Sequence, residues 1–308
     1  MNNRDRDIVV AALKHAAPYI RMFKRKTFVV KAGGELFLSP ANTRALLEQI
    51  AILHQVGVCV ILVHGAGPQT TRLATERGQV PRTVEGRRIT DEQTLEVMAE
   101  VNADICTQVL KTCSSIELPA IAMGASNPGP VEACKRPPVE IGGEGLIDFG
   151  FVGDIETLDT DMIRAEIDRG NVPIISALSA DVGGTLLNIN ADTVAAALAS
   201  ALAAEKLILA TGAPGILEDL ADPGSLISYL DLAGLNKLQE NGSLADGMLP
   251  KAKAIETAIN GGVPRVHIIS YSQPDSLLLE VFTNEGTGTL VVKSIEALTD
   301  AEQATGTA

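Results

Sequence analysis

Two lysines stand next to glycine-rich segments, where they could neutralise the charge of a phosphate group. Lys31 begins the segment KAGG directly after the apolar run TFVV, and Lys251 ends the segment GMLPK at the start of a helical run. Glycines leave backbone N–H groups open to an anion, and the start of a helix adds a positive dipole end. Each segment alone is also compatible with an ordinary turn beside a surface lysine. Together they predict a site for phosphoryl transfer.

A second glycine segment follows a second apolar run. The run VCVILV leads into HGAGP, which contains Gly65, Ala66 and Gly67. Neither glycine segment matches the GxxxxGK[ST] pattern of a Walker loop or the GxGxxG pattern of a dinucleotide site. Because open α/β sheets bind ligands at the carboxyl ends of their strands, we expect both segments to contribute to one site.

Two further segments carry side chains suited to bind a carboxylate or to complete the site. Arg88 lies in GRRITD ahead of a helix, and its planar guanidinium can pair with a carboxylate; a solvated arginine pair is the alternative. Asn188 and Asp192 lie in NINAD ahead of an alanine-rich helix and could point back at the sheet edge. For Asp192 the alternative is a helix N-cap, the role that we also predict for Asp91.

The remaining sequence predicts a layered α/β fold that would position these segments. Apolar, β-rich runs that end in glycine or a small polar residue alternate with helical patterns. The strand runs are TFVVKAGG, VCVILVHGAG, VPIISALS, KLILATGAPG and RVHIIS, and the helical runs are TRALLEQIAILHQVG, DEQTLEVMAEVNADICTQVLKTC and ADTVAAALASALAAE. Such alternation is typical of parallel strands joined by crossover helices.

Two segments depart from this alternation. Residues 131–159 are rich in glycine and proline, and IDFGFVGDIETLD within them predicts a hairpin of two strands laid over the sheet. The run DIVVAALKHAAPYIRMF predicts an amphipathic helix ahead of the first core strand. Its apolar face could pack on a partner subunit or cap the body of the chain.

Composition and charge exclude several classes of protein. The 308 residues are 46% hydrophobic, which rules out disorder. With 25 Lys and Arg against 38 Asp and Glu, the net charge is −13, so we expect no nucleic-acid partner. No apolar run reaches about 18 residues and the N-terminus is charged, so we expect a soluble cytoplasmic protein that does not enter a membrane. The 4 cysteines form no CxxC pair, which predicts reduced thiols and no protein-held metal.

Six segments resemble, in the same order, the sequence pattern of the amino acid kinase family. They are KAGG, HGAGP, GRRITD, NINAD, GMLPK and EVFTNEGTGT, and the match covers residues 25–293. The ordered set is far more specific than any single segment. It is most similar to the branch of the family that phosphorylates the γ-carboxylate of N-acetyl-L-glutamate with ATP in arginine biosynthesis. The resemblance implies a three-layer αβα sandwich with a mainly parallel central sheet.

The resemblance also implies a division of the chain. Residues 1–24 would form an N-terminal helix for oligomerisation, residues 25–195 a lobe that binds the acyl amino acid, and residues 196–298 a nucleotide-binding lobe with an arginine site. Residues 299–308 would be a flexible tail. ATP would be the phosphoryl donor and would carry the Mg²⁺, with no metal held by the protein itself.

Carried over residue by residue, the resemblance implies roles for individual side chains. Lys31 would stabilise the transferring phosphoryl group, Lys251 the leaving β-phosphate side, and Asp192 would orient both lysines. The implied substrate-binding residues are Gly33, Gly34, Gly65, Ala66, Gly67, Arg88 and Asn188, and the implied nucleotide-binding residues are Thr211, Gly212, Gly215, Gly247, Met248 and Lys251.

Two features resemble the arginine-inhibited, hexameric members of the family. The helix ahead of the first strand corresponds to the element that links dimers into a ring in those enzymes. Glu280 and Gly286, in EVFTNEGTGT, fall where those enzymes bind arginine. The alternatives are a capping helix, an ordinary terminal hairpin and a plain dimer.

The chain departs from the family pattern at three positions. Glu35 follows KAGG in place of a small residue, Gly212 stands where an aspartate is usual, and Ala66 replaces a glycine. The stretch PYIRMFKRKTFVVKAGGEL also resembles the kinase-like lobe of bacterial N-acetylglutamate synthases, which senses arginine and transfers no phosphoryl group. A non-catalytic arginine-binding regulator is therefore the alternative function, and a kinase for another small acid is a third.

Overall fold

The structure, a computed structural model, describes residues 3–84, 87–124, 129–143, 145–219, 221–222, 224–244, 246–283 and 286–297. The strands in these ranges are β1 (Thr27–Ala32), β2 (Cys59–His64), β3 (Thr83–Val84), β4 (Arg87–Arg88), β5 (Ala120–Met123), β6 (Val131–Lys135), β7 (Val139–Ile141), β8 (Gly145–Ile147), β9 (Gly153–Leu158), β10 (Val172–Ser176), β11 (Leu178–Ala180), β12 (Leu186–Asn188), β13 (Lys206–Thr211), β14 (Tyr229–Asp231), β15 (Arg265–Ser270) and β16 (Thr289–Val292). The α-helices are α1 (Asn3–Phe23), α2 (Pro40–Gln55), α3 (Gly67–Glu76), α4 (Glu92–Ser115), α5 (Thr160–Asp168), α6 (Ala191–Ala201), α7 (Leu232–Glu240), α8 (Leu249–Asn260) and α9 (Ser276–Phe282). Short 3₁₀ helices cover Gly34–Leu38, Asp246–Met248 and Ile295–Ala297.

An eight-stranded sheet forms the centre of the fold, in the order β14-β16-β15-β13-β1-β2-β10-β5. Its neighbouring strands pair in parallel except β15 and β16, which are antiparallel. Helices α6 and α8 pack on one face of the sheet, and α2, α4 and α9 pack on the other. The predicted α/β fold with a mainly parallel central sheet is thereby confirmed.

The central strands feed two hydrophobic cores, one on each face of the sheet. Val29 of β1 belongs to the core on the α6 side, whereas Phe28 and Val30 belong to the core on the α2 side. All three side chains are fully buried. Because both faces are covered by helices, β1 is a continuous apolar run and does not alternate between apolar and polar residues.

The parallel strands bring their carboxyl ends to one edge of the sheet. Ala32 at the end of β1 pairs with His64 at the end of β2 and with Ala210 near the end of β13, and Thr211 pairs with Ser270. The segments KAGG and HGAGP therefore begin side by side, as predicted. The turns that follow β13 and β15 lie further along the same edge.

Residues 131–159 form antiparallel pairs, but not the pair predicted within IDFGFVGDIETLD. β9 pairs with β6, and β8 pairs with β7. The residues between β8 and β9 cannot fold back on each other because their backbone bonds to Thr90: Thr90 N–H donates to Phe149 O, and Phe151 N–H donates to Thr90 O. The prediction of a hairpin within that segment is therefore wrong.

The predicted N-terminal amphipathic helix is present as α1. Its last residue, Phe23, is buried against Phe28 with ring centroids 5.2 Å apart, whereas Ile8, Leu13 and Met22 are exposed. Among the described residues, no helix combines the length and the apolar character needed to cross a bilayer. All four cysteines have free thiols, in agreement with the prediction.

Candidate active site

A buried carboxylate joins the two lysines that the sequence singled out. Lys31 Nζ, at the end of β1, lies 2.8 Å from Asp192 Oδ1, and Lys251 Nζ, at the start of α8, lies 3.4 Å from Asp192 Oδ2. Lys31 and Asp192 are only 6% and 4% exposed. The fold thus holds two ammonium groups around one carboxylate at the edge of the sheet.

Asp192 is free for this role because another residue caps α6. Asn190 Oδ1 accepts hydrogen bonds from the backbone N–H groups of Asp192 at 2.8 Å and Thr193 at 3.2 Å. The N-cap interpretation of Asp192 is therefore wrong, whereas Asp91 does cap α4 by accepting from Thr94 N–H. Since Asn190 satisfies the helix start, the Asp192 carboxylate is left for the lysines.

The two lysines determine the ionisation of Asp192. Burial alone would raise the pKa of Asp192, but the charges of Lys31 and Lys251 and their hydrogen bonds outweigh burial and hold the pKa below its ordinary value. Because the folded-state pKa is the lower one, ionised Asp192 stabilises the fold at a pH above its ordinary pKa. This contribution is lost as the pH falls through the lowered value.

The two glycine segments contact each other across the ends of β1 and β2. Gly65 N–H donates to Ala32 O at 3.0 Å, and Gln69 Nε2 donates to Gly34 O at 2.7 Å. A Cβ on Gly34 would lie 2.6 Å from Gln69 Oε1, so the close approach requires glycine at this position. None of the sequence motifs contains Gln69, although it directly follows HGAGP.

The substitution of Ala66 for glycine is accommodated by the core. Ala66 is only 7% exposed, and its side chain belongs to the hydrophobic core on the α2 side. Its carbonyl accepts a hydrogen bond from Thr70 N–H at 3.0 Å in the first turn of α3. The methyl group of Ala66 is thus held in the protein interior.

Arg88 lies beside the HGAGP segment. Asn188 contacts Thr90, which follows Arg88 by two residues. Arg88 Nη2 donates to Thr71 Oγ1 at 2.5 Å and to Gly67 O at 3.2 Å, and Asn188 Nδ2 donates to Thr90 Oγ1 at 3.1 Å. Burial lowers the pKa of Arg88. Its Nη1 is buried and finds no acceptor in the part of the chain that the structure describes. A buried donor of this kind is costly unless a ligand supplies the acceptor.

Two of the predicted nucleotide-binding glycines are exposed near the lysines. Gly212 is exposed just after β13, and Gly247 is exposed in the 3₁₀ turn before α8. Lys251 Nζ donates a long hydrogen bond of 3.5 Å to Gly247 O. Both backbones are accessible to a ligand at this edge.

The other predicted nucleotide-binding residues lie deeper. Gly215 is buried, and a Cβ there would lie 2.5 Å from Thr289 Oγ1, so this glycine allows the loop to pack against β16. Thr211 is also buried, and its Oγ1 bonds to the backbone of Ala213. Met248 is half-buried and packs on the core beneath α8. Gly215 and Thr211 are thus buried beneath the edge, and Met248 is partly exposed at the start of α8.

Glu35 and Tyr271 also face this edge. The Glu35 carboxylate lies directly over Gly33, because a Cβ on Gly33 would collide with Glu35 Oε2, and Lys31 Nζ is 4.0 Å from that same Cβ position. Tyr271 directly follows β15, and its Oη lies 3.1 Å from the position of a Cβ on Gly212. Burial and the charge of Glu35 raise the pKa of Tyr271. None of the sequence motifs contains Tyr271, and only the order of the strands in the sheet brings it to this edge.

Glu280 and Gly286, the predicted arginine-binding residues, border a separate cavity of about 580 Å³ beneath α1. Glu280 Oε1 lies 2.7 Å from His267 Nδ1, and Lys206 Nζ lies 2.9 Å from His267 Nε2. Thr287 N–H donates to Glu280 Oε2 at 2.8 Å. Residues of α1 complete the lining, namely Lys14, His15, Pro18, Tyr19, Met22 and Phe23.

The cavity lining carries charges of both signs, namely the carboxylates of Glu205 and Glu280 and the cationic side chains of Lys14, Lys206 and Arg265. Burial would raise the pKa of Glu280, but its hydrogen bond and Coulomb interaction with His267, together with Thr287 N–H and Lys206, lower it to about 2 and keep the carboxylate ionised. Burial and Lys206 lower the pKa of His267, and the contact with Glu280 opposes that shift. Both carboxylate oxygens of Glu280 contact protein groups. Gly286 has φ 55°, a conformation that favours glycine.

We predict that Asp192→Asn destabilises the protein strongly. Lys31 would stay buried without its anionic partner, which typically costs about 3–5 kcal/mol of the free energy of unfolding. Denaturant unfolding at neutral pH measures this loss. Glu48→Gln is the control, because Glu48 pairs with Arg44 on an exposed helix face and its loss should cost less than about 1 kcal/mol. Equal losses in the two variants would contradict the role given to Asp192.

Comparison with known proteins extends the resemblance to almost the whole chain. The amino acid kinase family matches residues 26–270. Acetylglutamate kinase of Myxococcus xanthus is 43% identical over 289 residues, which cover 92% of this chain and 94% of that protein. Acetylglutamate kinase of Archaeoglobus fulgidus is 37% identical, with 92% and 98% covered.

Among solved structures, N-acetylglutamate synthase from Neisseria gonorrhoeae complexed with coenzyme A and N-acetyl-glutamate is similar at a TM-score of 0.82 and 29% identity, covering 92% of this chain and 63% of that chain. Its complex with coenzyme A and L-arginine gives the same TM-score of 0.82 at 28% identity, with 92% and 65% covered. Because the family match and the acetylglutamate kinase relatives span most of its length, this chain belongs to the amino acid kinase family.

Proposed function

We propose that this protein transfers the γ-phosphoryl group of ATP to the γ-carboxylate of N-acetyl-L-glutamate in arginine biosynthesis. The observation that carries the proposal is the pair of lysines, Lys31 and Lys251, held around the buried Asp192 beside two glycine segments. Relatives that are 35–43% identical over most of their length are acetylglutamate kinases, which supports the same substrate here. We also propose that the protein is cytoplasmic.

The geometry suits a reaction that needs alignment and charge neutralisation. A carboxylate nucleophile carries no proton, so the reaction requires no general base. Lys31, beside the glycine segments, neutralises the charge on the transferring phosphoryl oxygens, and Lys251 neutralises the leaving β-phosphate side. Asp192 keeps both ammonium groups in place before ligands arrive, so little reorganisation is needed during transfer.

The nucleotide would carry Mg²⁺, which would supply further neutralisation of phosphate charge. Within the described ranges, no group of three or more His, Cys, Asp or Glu side chains is arranged to hold a metal ion. The exposed backbone at Gly212 and Gly247, the latter next to Lys251, would contact the nucleotide.

Arg88 and Asn188 are the proposed contacts for the acyl amino acid. The α-carboxylate would accept from Arg88 Nη1, the buried donor that finds no acceptor in the described residues. Asn188, held by Thr90, would bind the same substrate. Gly65 and Gly67 would offer backbone groups to the γ-carboxylate at the ends of β2 and the start of α3.

The alternative of a non-catalytic regulator is not favoured. Its basis is the likeness to the N-acetylglutamate synthase chain, of which this chain covers 63%. The kinases are more similar in sequence and are matched over almost their full length. The lysine pair and Asp192 are also all present. A kinase for another small acid is supported by fold similarity alone, as to carbamate kinase at 16% identity.

We predict that Lys31→Ala lowers kcat by a factor on the order of 10²–10³ with little change in the KM for N-acetyl-L-glutamate. The lysine acts on charge that develops in the transition state, so its loss should affect the chemical step. Trapping the acyl phosphate with hydroxylamine measures the rate. Lys26→Ala, on an exposed side chain that pairs with Glu205, is the control. A wild-type protein that forms no acyl phosphate would contradict the proposed function.

We predict that Arg88→Ala weakens binding of N-acetyl-L-glutamate by about 2–4 kcal/mol, because it removes a charge-assisted contact to the α-carboxylate. Arg88→Lys should restore only part of the affinity, since an ammonium group cannot form the planar bidentate pair. Arg87→Ala is the matched control. If Arg87→Ala raises the KM and Arg88→Ala does not, the carboxylate contact belongs to Arg87.

Arginine is the proposed inhibitor, with the cavity beneath α1 as its site. The ionised Glu280 can pair with a guanidinium, and Gly286 allows close approach of the backbone. The Neisseria gonorrhoeae protein has been crystallised with L-arginine, which supports this ligand class. Because α1 supplies part of the lining, arginine and the position of α1 would be coupled.

Helix α1 is the proposed contact between dimers in a hexameric ring. Its apolar side chains Ile8, Val9, Val10 and Leu13 are 47–63% exposed, while its end is fixed by the buried Phe23. Exposed apolar side chains of this kind fit burial against a second copy of the chain.

We predict that deletion of residues 1–22, which retains Phe23, reduces the assembly to dimers and relieves inhibition by arginine. Arginine inhibits only by favouring a state with weaker substrate affinity, so loss of the linking helix should remove that state. Light scattering and arginine titration measure both effects. Glu280→Gln is the matched variant: it should keep the ring and lose only the arginine response. A full-length protein that is already dimeric, or a shortened one still inhibited at the same arginine concentration, would contradict the role of α1.

A further inference from the structure

Tyr271 occupies the space that a side chain at position 212 would need. Tyr271 directly follows β15, and its backbone N–H donates to Thr211 O at 3.0 Å, which ties it to the end of β13. Its Oη lies 3.1 Å from the position of a Cβ on Gly212. Even an alanine at 212 would therefore press against the tyrosine hydroxyl. Gly212 and the orientation of Tyr271 depend on each other.

The protein orients the hydroxyl of Tyr271, and none of the described residues is a hydrogen-bond partner for it. The ring packs against the hydrophobic core on the α2 side, which restricts its motion. The residue is half-buried, and no hydrogen bond from its Oη occurs among the residues that the structure describes. An ordered phenol beside an open strand end, with no acceptor of its own, is a donor available to a ligand.

The surroundings of the hydroxyl indicate which ligand atoms it would meet. On one side is the exposed backbone of Gly212, and across the edge are Glu35 and Gly33, next to Lys31. Burial and the charge of Glu35 raise the pKa of Tyr271, so the phenol remains protonated and can only donate to an anion. Glu35 itself, an acceptor, would repel an anionic ligand. The hydroxyl is thus a side-chain donor on this side of the edge that can bind a phosphate oxygen directly.

We propose that Tyr271 is a nucleotide-binding residue, whose hydroxyl donates a hydrogen bond to a phosphate oxygen of the nucleotide. This inference rests on the proposed use of ATP and adds a contact that the aligned motifs do not contain. An ionised aspartate at position 212 could only accept hydrogen bonds, so the Tyr271 hydroxyl supplies a contact of a different kind from that residue.

The first test is the affinity for Mg²⁺–ADP, measured by calorimetry in the absence of the acyl substrate. Tyr271→Phe keeps the ring and removes only the hydroxyl, and a hydrogen bond to a charged group is worth roughly tenfold or more in affinity. We expect Tyr271→Phe to weaken binding by that factor with an unchanged melting temperature of the free protein. Ser272→Ala, which removes an exposed hydroxyl one residue further on, should bind as the wild type does.

The second test is a double-mutant cycle with Gly212→Ala. Gly212 has no positive φ, so alanine is compatible with its backbone, and its methyl group should displace the Tyr271 hydroxyl. We expect Gly212→Ala to weaken Mg²⁺–ADP binding in the wild type but to change it less than about twofold in the Tyr271→Phe background. Such coupling would not arise if the ring only filled space.

Two outcomes would overturn the inference. If the wild type binds Mg²⁺–ADP and Tyr271→Phe binds it within twofold as tightly, the hydroxyl makes no contact, and the proposed kinase function stands. If Gly212→Ala weakens binding equally in both backgrounds, the effect belongs to Gly212 alone. Failure of the proposed function is seen separately, as a wild-type protein that forms no acyl phosphate.

Discussion

The ion pairs of Asp192 with Lys31 and Lys251 are the interaction on which the rest of the site depends. Two ammonium groups held this close to one another would repel without a carboxylate between them. Burial makes an isolated charge costly, so each member of the group requires the others. The carboxylate therefore ties the end of β1 to the start of α8, and it keeps both cations at the sheet edge before any ligand binds. This is preorganisation of the kind that phosphoryl transfer needs.

The geometry of this edge follows from the parallel sheet. Because β1, β2, β13 and β15 pair in parallel and in step, their ends deliver KAGG, HGAGP, Gly212 and Tyr271 to one side of the molecule. Helices α3, α6 and α8 start at this edge, and α6 has a side-chain N-cap, made by Asn190. Besides stabilising the start of α6, the Asn190 cap leaves the Asp192 side chain free to bind the lysines.

Strands β13 and β15 also connect the active-site edge to the cavity beneath α1. β13 begins at Lys206, whose ammonium group contacts His267 of β15, and it ends at Thr211 beside Gly212. The cavity therefore lies at one end of β13, and the exposed Gly212 lies at the other. Lys31 and Lys251 face the edge, whereas Glu280 borders the cavity. The proposed phosphate and arginine sites thus lie at different ends of the same strands, which gives the proposed regulation a physical connection through the sheet.

The sequence by itself determined the strand runs, the main helices, the two glycine segments, and the identity of Lys31, Lys251, Arg88 and Asn188 as candidate residues. These are local properties, since apolar periodicity and glycine content are read within a few neighbouring residues. It also determined α1, because amphipathic spacing is a local pattern. These local patterns did not determine which residues contact one another in the folded protein.

Only the tertiary structure decided which groups meet. By its position in the sequence, Asp192 could be a helix N-cap. In the structure Asn190 caps the helix, and the Asp192 carboxylate instead pairs with two lysines that are distant in the chain. Gly215 looks like a ligand loop residue, yet packing against Thr289 buries it. Tyr271 carries no motif, and its place over Gly212 depends on the order of β13 and β15 in the sheet. Contacts between residues far apart in the chain have no local pattern, because they arise from strand order, register and burial, which the whole fold sets together.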